Sequence, residues 1–133
     1  MFDDADRDRV AAKLRAIRVV TRDVPATSGD ALVWFYGELL ELAVPPEKPR
    51  RNGDPVVRFL SDRLELLFRL GREPTHPTEP IRLIVRSLPL VSRRFDEHRI
   101  EYVWRHGFSM TDQQILVEDP ANNRVELSQT WRF

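Results

Sequence analysis

The chain has 133 residues, enough for one ordinary domain or for two small modules that share a core. Its 21 basic and 21 acidic residues give a formal net charge of zero, which argues against a general nucleic-acid binder because such proteins need a basic excess against phosphate. The sequence has no Cys, which excludes disulfides and thiolate metal sites. No apolar run approaches the roughly 20 residues that span a bilayer, and the acidic start is unlike a signal peptide, so we expect a soluble, cytoplasmic protein without membrane contact.

The first elements are predicted from periodicity and capping signals. An acid-led amphipathic segment predicts a short helix over residues 3–14, and the β-branched run from Arg15 to Asp23 predicts the first strand. Apolar residues at helical spacing then predict a helix from Ala31 to Leu42, with Ser28 or Asp30 as its N-cap. The Pro-Pro dipeptide that follows marks the end of this helix.

The middle of the chain is divided by a proline-rich segment. Val56 to Leu60 and Arg63 to Leu70 predict two strands around a tight turn. Gly71 to Pro80 has three prolines and no apolar periodicity, which predicts a linker between two halves. Ile81 to Arg86 predicts another strand, and a helix capped by Ser87 runs to about His98. The remaining strands are predicted at Glu101 to Trp104, at about Gln113 to Val117, and at Arg124 to Thr130.

The last two of these strands form a predicted hairpin. Its turn is Asp119-Pro120-Ala121-Asn122-Asn123, because Pro fixes its own φ while Asp and Asn tolerate left-handed backbone. Alternation in the second strand places Glu126 on the face opposite Val125 and Leu127. If those two residues pack on a core, Glu126 faces the other way, toward a cavity.

The two halves repeat each other. Ile17 to Arg22 matches Ile81 to Arg86 at an offset of 64 residues, and Arg63 to Leu66 matches Arg124 to Leu127 at an offset of 61. We therefore expect one α+β domain of two tandem βαβββ modules, forming a curved mixed sheet around a central cavity. The predicted bounds within residues 1–133 are about 14–70 for the first module, 71–80 for the linker and about 81–131 for the second module.

Two segments resemble the vicinal oxygen chelate superfamily, which contains glyoxalases, bleomycin resistance proteins and extradiol dioxygenases. The segment Trp34 to Leu42 is similar to the family's Phe-Tyr followed by Leu-Gly-Leu, with Glu41 in place of Gly. The segment Val117 to Leu127 is similar to its Asp-Pro-x-Gly-Asn-x-x-Glu-Leu, with Asn122 in place of Gly. The likeness covers roughly residues 14 to 131.

The resemblance implies a divalent-metal site at four strand positions, usually a His or Gln near the start of each module and a Glu near its end. The late positions fall on Glu65 and Glu126, which are carboxylates as in the family. The early positions fall on Ala16 and Pro80, or on Arg18 and Arg82 if the register slips by two, and none of these side chains can ligate a metal. The three histidines, which we expect to be exposed, are His76, His98 and His106.

Several interpretations of this site stay open. Glu65 and Glu126 can form an ion-pair network with Arg18 and Arg82 that fills the space of a metal, or a guanidinium can remain available for a small anionic ligand. Trp104 is a further candidate for the pocket wall, with core packing as its alternative.

We favour a metal-independent, cofactor-free protein that binds a small, anionic molecule and forms a homodimer, as family members often do. The alternative is a lyase, isomerase or dioxygenase with one divalent metal ion on Glu65 and Glu126, and catalysis itself is undecided. A third possibility is a partner-binding module whose cavity is filled.

Overall fold

The computed structural model describes residues 18–45, 55–74, 79–107 and 112–129. The predicted helix over residues 3–14 and the candidates Ala16 and His76 lie outside the described residues. Within the described ranges the chain forms seven strands and two helices. These are β1 Arg18–Val24, α1 Gly29–Leu32 with its π-helical continuation Val33–Leu39, β2 Val56–Ser61, β3 Leu64–Leu70, β4 Ile81–Val85, α2 Leu88–Glu97, β5 Tyr102–His106, β6 Gln113–Glu118 and β7 Arg124–Gln129.

The strands form two sheets, one for each half of the chain. The first has the order β1-β3-β2 and the second the order β4-β7-β6-β5. In each sheet the first strand lies parallel to the last one, while the other neighbours are antiparallel. The second half is a complete βαβββ unit, whereas between α1 and β2 the described residues show an isolated bridge of Ala43 with Leu60. The predicted fold class of two repeated α+β modules is confirmed.

The first helix differs from its predicted bounds at both ends. It begins at Gly29, and Ser28 makes no capping hydrogen bond with its side chain. It ends at Leu39 because Glu41 has φ +56°, a left-handed conformation that cannot continue a helix. The predicted cap of the second helix is confirmed, since Ser87 Oγ accepts a hydrogen bond of 3.2 Å from the backbone N–H of Leu90.

One side of each sheet is buried against the helices. In β3 the buried positions alternate as Leu64, Leu66 and Phe68, and in β7 they are Val125 and Leu127. The helices also join the two halves. Phe35 of the first helix stacks on Phe95 of α2 with ring centroids 5.8 Å apart. Arg94 Nη1 donates to the carbonyl of Leu39 at 2.8 Å. The buried side chains of both halves therefore form one core.

The sheets are left with a second face that no described helix covers, which we call the open face. Val19, Leu60, Ile84 and Val103 project from this face and are exposed, although they are large and apolar. In the described part of the chain, neither helix has the length and apolar character needed to cross a bilayer. The exposed apolar side chains make the open faces candidates for a ligand or partner site.

Candidate functional site

A row of four side chains crosses the open face of the second sheet. The strand register places Val103, Leu116, Glu126 and Arg82 side by side on β5, β6, β7 and β4. The predicted orientation of Glu126 agrees with this row, because its neighbours Val125 and Leu127 are buried on the opposite face. One half of the row is thus apolar, and the other half is an acid beside a base.

Two guanidiniums hold the carboxylate of Glu126. Arg82 Nε donates to Oε2 at 3.1 Å, and Arg105 Nη2 lies 3.4 Å from Oε1. The Glu126 side chain is only 15% exposed, so these charge-assisted contacts offset the loss of hydration. Arg105 also contacts Gln114, whose amide donates to the hydroxyl of Ser128 at 3.2 Å. The predicted pairing of Glu126 with Arg82 is therefore present, and Arg105 is a partner that the sequence analysis missed.

The matching glutamate of the first sheet has a different partner. Glu65 lies on the open face of β3, and its Oε1 accepts a hydrogen bond of 2.5 Å from Nε of Arg58 on β2. Both side chains are largely buried, at 17% and 27% exposure. A second ion pair on this face joins Arg69 to Asp23 at 2.6 Å. Arg58 could have been found from the sequence, because it precedes the buried Phe59 and so shares the face of Glu65.

Arg18 does not lie beside Glu65, and the expected pairing of these two residues is wrong. The register pairs Arg18 with the buried Leu64, on the core side of the sheet, while Val19 pairs with Glu65. Arg82 pairs with Glu126, so its counterpart in the first module is Val19, at an offset of 63 residues and not 64. A shift of one residue moves a side chain to the other face of a strand, which is why the sequence match misplaced Arg18.

A concave pocket of about 1180 Å³ lies on the second module. Trp104 borders it, although its strand position pairs with the buried Ile115 and its ring packs partly into the core edge. The pocket was expected between the two modules, yet those of its lining residues that the structure describes lie within residues 80–126. Acidic side chains predominate in the lining over the two basic ones, Arg105 and Arg124. The acidic residues are Asp96, Glu101, Glu118, Asp119 and Glu126.

A smaller groove of about 410 Å³ lies where the two modules meet, and we call it the seam groove. Its lining includes the guanidiniums of Arg18, Arg22 and Arg82, whereas Glu79 is the one acidic residue among its described lining residues. Arg22 donates to the backbone carbonyls of Thr21 at 3.1 Å and Glu79 at 3.0 Å, which orient it without neutralising its charge. Arg18 lies 3.7 Å from the Glu79 carboxylate in an exposed pair. Pro80 borders both this groove and the concave pocket.

The hairpin turn at the edge of the concave pocket is organised by Asp119, the one buried charged residue in the described ranges. Its Oδ1 accepts from the backbone N–H groups of Ala121 at 2.8 Å and Asn123 at 2.9 Å. Its Oδ2 accepts from Asn123 Nδ2 at 3.0 Å and from the Tyr36 hydroxyl at 2.6 Å. Burial raises the pKa of the Asp119 carboxyl, while the hydrogen bonds from Tyr36 and Asn123 act in the opposite direction. Burial and the nearby Asp119 charge raise the pKa of Tyr36 well above its ordinary value.

The described side chains do not fit the divalent metal that the fold family implies. No three His, Asp or Glu side chains come together in the described part of the chain. Glu65 and Glu126 each face guanidiniums, whose positive charge opposes a cation. His98 contacts the ring edge of Trp34 at 5.1 Å, and His106 stacks on Trp104 at 6.5 Å, both as exposed residues. The side chains that the structure describes therefore do not form a site for the divalent metal.

The two departures from the family motif share one backbone feature. Glu41 and Asn122, which stand where the family has Gly, have φ of +56° and +65°. Gly adopts this left-handed region without a steric penalty, so the pattern is explained by backbone geometry. The two motif segments also meet in space, through the hydrogen bond between Tyr36 and Asp119.

No protein-family model and no curated protein sequence matches the chain. Solved structures do match. A glyoxalase family protein from Bacillus anthracis is 19% identical with a TM-score of 0.70, over 86% of this chain and 94% of that one. A lactoylglutathione lyase from Agrobacterium tumefaciens is 19% identical with a TM-score of 0.61, over 87% and 97%. A fosfomycin resistance protein from Listeria monocytogenes is 15% identical with a TM-score of 0.62, over 86% and 92%. The chain therefore has the fold of the vicinal oxygen chelate superfamily, as its two motif segments predicted.

Proposed function

We propose that the protein binds a small organic anion without a metal ion, and that the anionic group docks in the seam groove. The observation that carries this proposal is the approach of Arg18, Arg22 and Arg82 to one groove in which Glu79 is the one acid among the described lining residues. A carboxylate or phosphate would gain charge-assisted hydrogen bonds to guanidiniums from both modules. The fold relatives named above include a lyase and a resistance protein, and such small-molecule roles agree with this proposal.

Arg82 is central to the proposed site because it contacts Glu126 and also lines the seam groove. Its Nε donates to Glu126, which fixes the side chain, while that side chain remains 65% exposed. The concave pocket is a poorer place for an anion, since acidic residues outnumber basic ones among its described lining residues. We therefore place the anionic group in the groove and the uncharged body of the ligand past Pro80, toward the apolar Val103 and Leu116.

The test is a thermal-shift comparison of charged and neutral analogues at constant ionic strength. We expect benzoate and inorganic phosphate to raise the melting temperature in a concentration-dependent way, and benzamide to leave it unchanged, because a ligand stabilises by binding the folded state alone. Arg82→Gln should abolish the response. Arg93→Gln is the matched control, since Arg93 is exposed on α2 and lines no part of the groove.

Metal independence is tested in the same assay. We expect the response to benzoate to be equal with EDTA and with added Mn²⁺, Ni²⁺ or Zn²⁺. An equal response to benzamide would contradict the proposed binding of an anionic group. A response that needs a metal would support the metal-dependent alternative on Glu65 and Glu126. No response to any probe would support the module whose cavity serves only as structure.

We also propose that the protein is a homodimer. The support is the exposure of large apolar side chains on the open faces of both sheets, such as Leu60 and Ile84, which a second copy would cover. Light scattering coupled to size exclusion should give twice the chain mass of 15.6 kDa. A mass equal to one chain at micromolar concentration would contradict this proposal. The cytoplasmic location stays a prediction.

A further inference from the structure

Tyr36 belongs to the first module but has its hydroxyl in the second. Its ring packs between Phe59 and Phe68 of the first sheet, with centroids 5.2 Å from each. Its hydroxyl donates to Asp119, 83 residues further along the chain, at 2.6 Å. Both residues are buried, so this hydrogen bond joins the modules in a place that water does not reach.

The helix that carries Tyr36 is held against the second module by contacts on either side. Phe35 stacks on Phe95, and Arg94 donates both to the carbonyl of Leu39 and to the carboxylate of Glu41 at 2.9 Å. Tyr36 itself lies in the π-helical turn, a geometry that is uncommon in proteins. These contacts of the helix therefore hold the Tyr36 hydroxyl in the position from which it donates to Asp119.

Asp119 connects this contact to the conformation of the hairpin turn. With one oxygen on two backbone N–H groups and the other on Tyr36 and Asn123, its carboxylate is saturated with donors. The turn that it closes contains Asn122 in a left-handed conformation, and Asn122 lines the concave pocket. If the Tyr36 donor is lost, Oδ2 keeps a single partner in a buried place, which is unfavourable for a carboxylate.

We infer that Tyr36 is a positioning residue for the concave pocket: through Asp119 it ties the shape of the pocket wall at residues 119–123 to the docking of the first-module helix. This goes beyond the proposed function, because it concerns the second module's pocket wall and does not require a ligand. It assigns to the two motif segments a common physical task, which is to hold the modules in one relative placement.

The test is backbone amide exchange of Ala121 and Asn123, whose N–H groups bond to Asp119 and not to Tyr36. In Tyr36→Phe we expect both amides to exchange about ten-fold faster, because the Asp119 carboxylate loses a hydrogen-bond donor and the turn loosens. Phe68→Leu is the control for general destabilisation of the first module, since it disturbs the same core without removing the hydroxyl.

Two results would overturn the inference. One is an equal change in the exchange rates of Ala121 and Asn123 in the two variants, Tyr36→Phe and Phe68→Leu. The two variants are compared under conditions in which they have the same free energy of unfolding. The other comes from the Asp119→Asn background. If Tyr36 acts through Asp119, adding Tyr36→Phe there should change these rates by less than about two-fold, so a further ten-fold increase would contradict the route. Should Asp119→Asn not fold, the first comparison decides alone.

Discussion

The open faces of the two modules carry the same glutamate in two electrostatic settings. Glu65 has one guanidinium, from Arg58, in a pair that is largely buried. Glu126 has two, from Arg82 and Arg105, and both are far more exposed. One source of the difference is a strand position at which the first module has Val19 and the second has Arg82, and another is Arg105 on β5. The duplicated fold thus places a glutamate at the same position of each module. The neighbouring residues decide whether one guanidinium balances its negative charge or two guanidiniums exceed it.

Removal of the single partner of Glu65 should have the largest effect. Arg58→Gln leaves a mostly buried carboxylate without its ion-pair partner, so we expect the free energy of unfolding to fall by about 2 kcal/mol. Arg82→Gln should cost less than about 1 kcal/mol, because Arg105 still contacts Glu126 and the pair is solvent-screened. Urea denaturation measures both, and equal losses would contradict the distinction between the two faces.

The two tyrosines give a second comparison, because the chain has one in each module. Burial raises the pKa of Tyr36 well above its ordinary value of 10.0. The pKa of Tyr102 is also raised, by partial burial and by the hydrogen bond to Asp96, but less strongly. For Tyr36 the folded state keeps the proton longer than the unfolded state. Stability from this group is therefore complete below pH 10 and is lost as pH rises above it, at about 1.4 kcal/mol per pH unit.

Tyrosinate absorbance measures this difference. We expect one tyrosine to ionise while the chain remains folded and the other only with unfolding, and Tyr102→Phe should remove the first step alone. Tyr36→Phe should flatten the fall in stability above pH 10. Ionisation of both tyrosines before unfolding would show that Tyr36 is accessible to water and would contradict its burial.

The turns of the two modules give the smallest expected difference. Arg63 and Asn122 both have positive φ, at +57° and +65°. Arg63→Gly should stabilise the protein by about 0.5 kcal/mol, since relief of left-handed strain exceeds the extra entropy of glycine in the unfolded chain. Asn122→Gly should change stability by less than about 0.3 kcal/mol, because Asn tolerates this conformation better. Thermal unfolding measures both, and a larger gain at Asn122 would reverse the expected order.

Much of the molecule follows from local patterns. Alternation in Val125-Glu126-Leu127 predicts the side of the sheet on which Glu126 lies, and the turn residues predict the hairpin that contains Asp119. The Ser87 cap fixes the start of the second helix, as the structure confirms. These features depend on neighbours close in sequence, so periodicity and turn chemistry suffice to predict them.

The partners of these residues depend on contacts across strands and between modules. The sequence match misassigned Arg18 to Glu65, because a shift of one residue in register exchanges the two faces of β1 and leaves the local pattern intact. The sequence also could not join Tyr36 to Asp119, which are far apart in the chain.

By itself the sequence therefore determined the two-module fold, the hairpin and the acid on each open face, since short-range periodicity encodes them. Only the tertiary structure decided which guanidinium meets which acid, and that arginines gather at the seam while the described lining of the larger pocket has more acidic than basic residues. The physical reason is that charges act through space, and their distances are set by strand register and helix docking.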